Sequence, residues 1–570
     1  MTSKFNRKKS LFALLALSTA LLASSSALAQ SRQHGGAGQA EGDDQAACHR
    51  LIGIPNLTIL STELVPATDT LPTYCQVYGL IAPAIHWQAQ LPIGSAWNGK
   101  LLNIGNGGKA GNFGFAYNRL AAGYVVVSNN TGHDSGAEPN SSFAFNNKQE
   151  LYDYAYRAIH VTANASKTLV REFYGKPQRL AYFEGCSTGG RQGMLEAQRF
   201  PYDFDGIVIG SPAIDFTKLN AAHIWTEKHL LENHAAGNLA FDVNGDGSFK
   251  SLTKLNLLRE AVLAKCDEKD GIKDGVINNP LACDFNPATD LKKYYCPNDK
   301  NADGCFTTAQ IHALVAIYAG PHDSKGKKLF VGPSFGSEVQ WPQNVIPWGG
   351  NKFLPSNLSY EIDHANFLFY EESPGLPPPD SKDFSQKLDK KAIFPEYAWW
   401  EFNFDDITNG KLAWAEKYID AVDPDLSRYL KQKKGKLLIY QGWSDGDALP
   451  ESIVHYYEKM VQTTFDGQYS DAQQDARLFM MPGMGHCGGG PGPNEWDKLP
   501  VLDKWVEEGV APDYIVAVHR SNTRDDQKPG TITNERKLCP YPQQAIYTGP
   551  NGGQNDPANW KQENFTCKGK

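Results

Sequence analysis

The chain has 570 residues, with 55 Lys+Arg against 63 Asp+Glu and a formal net charge of -8. That acidic balance argues against a nucleic-acid partner, because phosphate binding needs a basic surface. A hydrophobic fraction of 41% and 21% charged residues exclude a disordered, collagen-like or coiled-coil chain, and the length asks for more than one domain.

Residues 1–29 read as a secretory signal peptide. Lys4, Arg7, Lys8 and Lys9 form a basic head, an apolar run from Leu11 to Ala23 follows, and Ala27-Leu28-Ala29 supplies small residues for cleavage. The apolar run is too short for a membrane span. Cleavage removes four positive charges and no negative one, taking the charge from -8 to -12. The predicted location is secreted or periplasmic, with no membrane span after signal removal. Residues 30–46 are rich in Gly, Gln and Ser and are predicted to be a flexible N-terminal segment.

From about Leu51 the pattern becomes strand-like, and Tyr124 to Val127 reads as a buried strand. Leu151, Tyr154, Ala158, Val161, Ala165, Leu169 and Phe173 recur at three- and four-residue steps, which predicts a helix over 149–173. Arg179 to Glu184 reads as a strand, Gln192 to Gln198 as a helix, and Gly206 to Gly210 as another buried strand. After Ser211 the rhythm breaks until Lys436 to Tyr440, the next clear strand. Ser452 to Met460 then reads as helix, Arg477 to Met481 as strand and Leu502 to Glu507 as helix. The alternation predicts an α/β fold with a parallel sheet, its catalytic domain split into 47–211 and 435–570, and residues 212–434 forming a separate inserted domain.

The glycine-rich Gly185-Cys186-Ser187-Thr188-Gly189-Gly190 contains the pattern Gly-x-Ser-x-Gly between a predicted strand and a predicted helix. That is the context of a nucleophile elbow, in which a tight turn lifts a serine Oγ above the sheet. A serine nucleophile needs a base and an orienting acid. Asp445, in the loop after the strand ending at Tyr440, is the predicted acid, with Asp447 of the same loop as its rival. His486, in the glycine-rich loop after Met481, is the predicted base. Two amide donors are needed for the oxyanion. Thr188 supplies the first, and Gly107 or Gly108, after the apolar Leu101-Leu102, the second.

The ten cysteines are even in number and include no C-x-x-C pair, which in an exported chain argues for disulfides rather than zinc. The sequence does not fix their connectivity. Cys266 with Cys283 and Cys296 with Cys305 would close short loops, and Cys539 with Cys567 would tie down the C-terminus. Cys186 precedes the predicted nucleophile and Cys487 follows the predicted base. If those two residues touch, their neighbours come within disulfide range, and the bond would clamp the pair.

In the insert, Cys266-Asp267-Glu268-Lys269-Asp270-Gly271-Ile272-Lys273-Asp274-Gly275-Val276 spaces three Asp three and four apart, with Gly after two of them. Such winding lets carboxylates and carbonyls converge on a hard cation, which suits Ca²⁺. The predicted ligands are the side chains of Asp267, Asp270 and Asp274 and the carbonyls of Ile272 and Val276. A second acidic stretch, Asp242 to Gly247, starts like an EF-hand loop, but its twelfth position is Thr253 instead of Glu, so a polar turn is the expectation.

Cys186-Ser187, Asp445 and His486-Cys487 together resemble the tannase and feruloyl esterase family, over about Cys48 to Cys567. The resemblance implies an α/β-hydrolase core, a large lid domain inserted between core strands, a disulfide beside Ser and His, and a lid calcium matched by Asp267 to Val276. The cysteine layout resembles the family's bacterial mono(2-hydroxyethyl) terephthalate hydrolase branch, which implies the pairs Cys48–Cys75, Cys186–Cys487, Cys266–Cys283, Cys296–Cys305 and Cys539–Cys567. The implied function is a serine esterase cleaving small aromatic esters, feruloyl or galloyl, linked to plant polysaccharide or tannin. It uses no organic cofactor, and its Ca²⁺ is structural. A terephthalate monoester is the alternative. Its free carboxylate would want an Arg, and between Pro212 and Lys434 the only Arg are Arg259 and Arg428. Phe367 to Tyr370 and Tyr397 to Phe402 either stack an acyl ring or form lid core. A non-catalytic secreted binding protein on the same fold is the alternative of a different class.

Overall fold

The computed structural model describes residues 37–138, 140–235, 238–241, 243, 251–346, 355–370, 402–521 and 530–569. Its centre is a sheet of nine strands: β1 (Thr58–Val65), β2 (Tyr74–Ile81), β3 (Ile85–Pro92), β4 (Lys100–Ile104), β5 (Val125–Asn129), β6 (Leu180–Cys186), β7 (Gly206–Gly210), β8 (Lys436–Gly442) and β9 (Ala476–Met481), in the order β1-β2-β3-β5-β4-β6-β7-β8-β9. The pairs from β1 to β3 and β3 with β5 are antiparallel, and those from β5 across to β9 are parallel.

The parallel strands are buried on both faces, which is why they read as unbroken apolar runs. Leu101, Ile207, Leu437 and Ile439 enter one core, while Leu102, Val208, Leu438 and Tyr440 enter the core on the opposite face. Helices cross between successive strands, Thr188–Arg199 after β6 and Pro450–Phe465 after β8. The helix expected over 149–173 is Lys148–Tyr152 and Ala158–Tyr174, joined by a wider turn at Asp153–Arg157.

No strand of this sheet lies between Gly210 and Lys436 among the described residues. Helices Phe216–Ala235, Thr253–Cys266, Thr308–Ala319 and Ser356–Phe367 fill that stretch. They share an apolar cluster of their own, with Ile224, Leu258, Leu314, Trp341 and Phe369 at its centre. Phe369 and Phe402 belong to that cluster, and Phe367 and Leu368 to a neighbouring one, so these aromatics are core side chains. Tyr397 to Glu401, and Asp242 with Asn244 to Gly247, lie outside the described residues.

Where the sequence predicts a flexible segment through Ala46, a helix spans Ala37–Arg50. Its Ala, Gln and Glu are good helix formers, and Cys48, bonded to Cys75 on β2, anchors its last turn to the sheet. The other bonds are Cys186–Cys487, Cys266–Cys283, Cys296–Cys305 and Cys539–Cys567, and no cysteine is free. Five disulfides are consistent with an oxidising, extracytoplasmic setting. No described helix is long and apolar enough to cross a membrane.

Candidate active site

The parallel strands end in register, with Cys186 opposite Gly210 and Gly210 opposite Tyr440. Loops after β6, β8 and β9 therefore converge at one edge, where open α/β sheets bind ligands. Ser187 follows β6 immediately and has φ 59° and ψ -121°. Such a conformation costs a non-glycine residue on the order of 1–3 kcal/mol, and it persists only where the surroundings enforce it. Here the enforcement is visible. Ser187 N–H donates to Gly210 O (2.9 Å), and Ser187 O accepts from Arg191 N–H (3.0 Å) and Ala213 N–H (3.2 Å). The flanking glycines are sterically required. A Cβ on Gly185 would lie 2.6 Å from Gly189 O, and one on Gly190 2.7 Å from Pro212 Cα.

Asp445 is fully buried and accepts from four groups. His486 Nδ1 lies 3.1 Å from Oδ1 and 3.0 Å from Oδ2, the Asp447 and Ala448 amides donate to Oδ1 at 2.9 Å each, and Gln441 Nε2 donates to Oδ2 at 3.0 Å. Burial alone would push this carboxyl up, but the imidazole and the donors outweigh it and hold it below the ordinary carboxylate range. The converse holds for His486. Burial disfavours its charged form, yet the Asp445 carboxylate raises its pKa to about 9. With Nδ1 turned to Asp445, Nε2 is the ring nitrogen left for another partner, and Ser187 and His486 line one cavity of about 280 Å³. Cys186 and Cys487 are bonded with their Cα atoms 6.0 Å apart, across 301 residues of sequence. The His486 loop is held again where Gly442 meets it, since a Cβ there would sit 2.2 Å from Met484 O.

Thr188 and Gly108 line the same cavity. The loop carrying Gly107 and Gly108 lies against the start of the Thr188–Arg199 helix, with Asn106 N–H donating to Gln192 Oε1 (2.9 Å) and Gly105 N–H to Glu184 O (2.9 Å). The sequence did not single out the rest of the wall. Phe216, Leu219, Asn220 and His223 face the cavity from helix Phe216–Ala235, and their spacing of three and four was the signal that could have found them. His223 Nδ1 meets Glu361 Oε1 at 2.9 Å, and its Nε2 meets Asp447 O at 3.0 Å. Asp447, the rival acid, lines the cavity instead of orienting the ring through Nδ1. Among the described residues, neither Arg259 nor Arg428, nor any Lys, lines it.

The acidic loop of the insert winds as a tight turn over Asp267–Asp270, with Gly271 at φ 90° and Gly275 at φ 77°. Asp267 and Asp270 are buried, and Asp267 Oδ1 and Asp270 Oδ2 have no hydrogen-bond partner. Burial raises their carboxyls, to about 6 and about 7. Arg536 Nη2 donates to Asp274 Oδ2 at 2.5 Å, while Arg536 Nη1 stands 3.6 Å from Asp270 Oδ2. Ile272 and Val276 amides donate to Asp270 and Asp274 at 3.2 Å each, so the loop curls around its own carboxylates. The three predicted ligand carboxylates do not converge on one point: among the described residues, the groups whose ligand atoms lie within 4.8 Å of one another are His160, Glu196 and Asp203, and Asp445, Asp447 and His486, while Arg536 supplies the positive charge beside Asp270 and Asp274.

The profile described as tannase and feruloyl esterase matches residues 70–562. An uncharacterised esterase of Xanthomonas campestris pv. campestris is 30% identical over 92% of this chain and 91% of its own. The mono(2-hydroxyethyl) terephthalate hydrolase of Piscinibacter sakaiensis is 30% identical over 87% of this chain and 86% of its own. Among solved structures, feruloyl esterase B from Aspergillus oryzae shares the fold, with a TM-score of 0.72 and 24% identity over 92% of this chain and 100% of that one. The protein is thus a carboxylic ester hydrolase with a mixed α/β fold. It belongs to the tannase and feruloyl esterase family.

Two measurements test this geometry. A base must be neutral to act, so kcat/KM should rise with pH through an ionisation above the ordinary imidazole value of 6.5. Asp445→Asn should cost on the order of 10⁴-fold in kcat and remove that alkaline displacement. Replacing Cys186 and Cys487 together by Ser should leave circular dichroism unchanged and lower kcat by roughly 10- to 100-fold through misplacement of His486; an unaltered kcat would show that the loops hold themselves.

Proposed function

We propose that the protein is a secreted or periplasmic serine esterase hydrolysing small phenolic esters, of the feruloyl or galloyl type, through an acyl-enzyme. The observation that carries the reading is Ser187 on its strained turn sharing one cavity with a His486 held by Asp445. Polysaccharide- or tannin-linked esters are the natural substrates proposed, and residues 1–29 the export signal. His486 Nε2 takes the Ser187 Oγ proton as Oγ bonds to the ester carbonyl carbon, and the carbonyl electron pair moves onto oxygen. The amides of Thr188 and of Gly108 or Gly107 hold that oxyanion. Collapse breaks the ester C–O bond, with His486 returning the proton to the leaving alcohol. Water then adds by the same route and releases the acid and Ser187. No organic cofactor enters these steps.

Residues 212–434 are proposed as the lid, since helices Phe216–Ala235 and Ser356–Phe367 supply the cavity wall opposite Ser187. The wall's polarity favours phenols over terephthalate monoesters. Glu361 and Asp447 face the cavity, burial raising the pKa of each. They can accept from phenolic hydroxyls but would repel a free substrate carboxylate. The 30%-identical terephthalate hydrolase keeps the other ester as the competing substrate.

Ser187→Ala should abolish turnover of methyl ferulate or methyl gallate with the melting temperature intact. The wild type should prefer either to mono(2-hydroxyethyl) terephthalate at matched concentration, and a reversed preference overturns the phenolic assignment. Structural Ca²⁺ held by Asp267, Asp270 and Asp274, with the Ile272 and Val276 carbonyls, is part of the same reading. Adding Ca²⁺ to chelator-washed protein should raise its melting temperature, and Asp270→Ala should lose that response.

A further inference from the structure

Three side chains outside the ester site meet where the helix that starts after Ser187 ends. His160 stands on helix Ala158–Tyr174, Glu196 in the last turn of helix Thr188–Arg199, and Asp203 in the turn before β7. They offer ligand atoms that lie within 4.8 Å of one another. Glu196 is only 1% exposed, and its Oε2 has no hydrogen-bond partner. Asp203 is buried and His160 half-buried. The frame around them is fixed. Phe200 N–H donates to Glu196 O (2.9 Å), and Asp203 N–H donates to Phe200 O (3.0 Å). The Phe200 ring stacks on the His160 imidazole, with centroids 3.8 Å apart and planes 11° from parallel. His160 Nδ1 meets Asp203 Oδ2 at 2.5 Å, Lys167 Nζ stands 3.4 Å from Asp203 Oδ1, and Asn164 Nδ2 stands 3.4 Å from His160 Nε2. Two buried carboxyls with one partly exposed ammonium beside them are short of positive charge.

We propose that His160, Glu196 and Asp203 bind one first-row transition-metal dication of the Zn²⁺ type, a structural ion that pins the end of the Ser187 helix to helix Ala158–Tyr174. The donor set selects the metal. One imidazole nitrogen with two carboxylates suits Zn²⁺, whereas Ca²⁺ takes oxygen ligands alone. Zn–N and Zn–O bonds of about 2.0–2.2 Å put neighbouring ligand atoms of a tetrahedral ion about 3.4 Å apart. The cluster is near that spacing already, and the His160–Asp203 contact has to open by about 1 Å. His160 has room to do so, because its side chain is 32% exposed. The same opening is the entry path for the ion and the place for a water as fourth ligand. Coordination gives the Glu196 carboxylate a counter-charge that Lys167, on the far side of Asp203 in charge terms and free to swing into water, supplies only in part. The competing way to remove the second negative charge is a proton. Burial, then the Asp203 carboxylate, raise the Glu196 carboxyl well above its ordinary value, with Lys167 opposing them. This cluster shares no residue with the ester site or with the acidic loop of Asp267 to Val276.

The test titrates Zn²⁺ into chelator-stripped protein by calorimetry and counts the metal retained after desalting, in wild type, Glu196→Gln and His160→Ala. Wild type should retain about one Zn²⁺ per chain, with micromolar or tighter affinity, and excess Ca²⁺ should not displace it. Glu196→Gln keeps the side chain's shape and removes its charge. It and His160→Ala should each weaken the binding about 100-fold. Zn²⁺ should raise the melting temperature of wild type and leave that of both variants unchanged. Circular dichroism checks that each variant is folded, and either one alone suffices. No retained Zn²⁺ in wild type overturns the proposal and leaves Glu196 and Asp203 as a pair sharing a proton. Zn²⁺ retained equally by both variants also overturns it, and inhibition of 4-nitrophenyl acetate turnover by that ion would place it on Asp445, Asp447 and His486 instead.

Discussion

The residue before Ser187 and the residue after His486 are covalently joined, and most of the site's precision depends on that bond. The His486 loop, with glycines at 483, 485, 488, 489 and 490, has little intrinsic preference for one conformation. Left free, it would spread the imidazole over positions of which few face Ser187. The bond to Cys186 ties it to the end of β6, whose place is set by nine-strand register and by cores on both faces. A misplacement of about 1 Å can cost 100-fold in rate, so a rigid anchor matters more here than the few kcal/mol the bond adds to stability. Glycines 185, 190 and 442 are the complement of the anchor, because the three loops approach too closely for a Cβ.

What was legible in the sequence follows the same physics. Gly-x-Ser-x-Gly could be read because the steric demand that selects glycine is local to one turn. The strands β6 to β9 could be read because burial on both faces leaves each an apolar stretch, Leu180 to Phe183, Gly206 to Gly210, Leu437 to Tyr440 and Leu478 to Met481, with the polar residues toward the ends. The disulfide beside the site was legible only through an assumption about contact. The N-terminal helix was missed because its composition is polar and its anchor, Cys48–Cys75, is a tertiary fact. The aromatic runs Phe367 to Tyr370 and Tyr397 to Phe402 left a stacking role open, yet Phe369 and Phe402 are buried in the insert's own cluster and Phe367 in the neighbouring one. The cavity wall was unread for a similar reason. Which face of helix Phe216–Ala235 meets Ser187 is decided by how the insert packs, though the face is printed in its three- and four-residue spacing.

The acidic loop Asp267–Val276 shows a structural demand reaching far along the chain. Its buried carboxylates draw on Arg536 of the C-terminal strand Ile532–Leu538. One guanidinium cannot serve three carboxylates, and two of their oxygens remain without a hydrogen-bond partner. Buried charge of this kind is costly unless compensated. Burial therefore favours proton uptake by Asp267 and Asp270, and the Ca²⁺ proposed above would have to take the proton's place there.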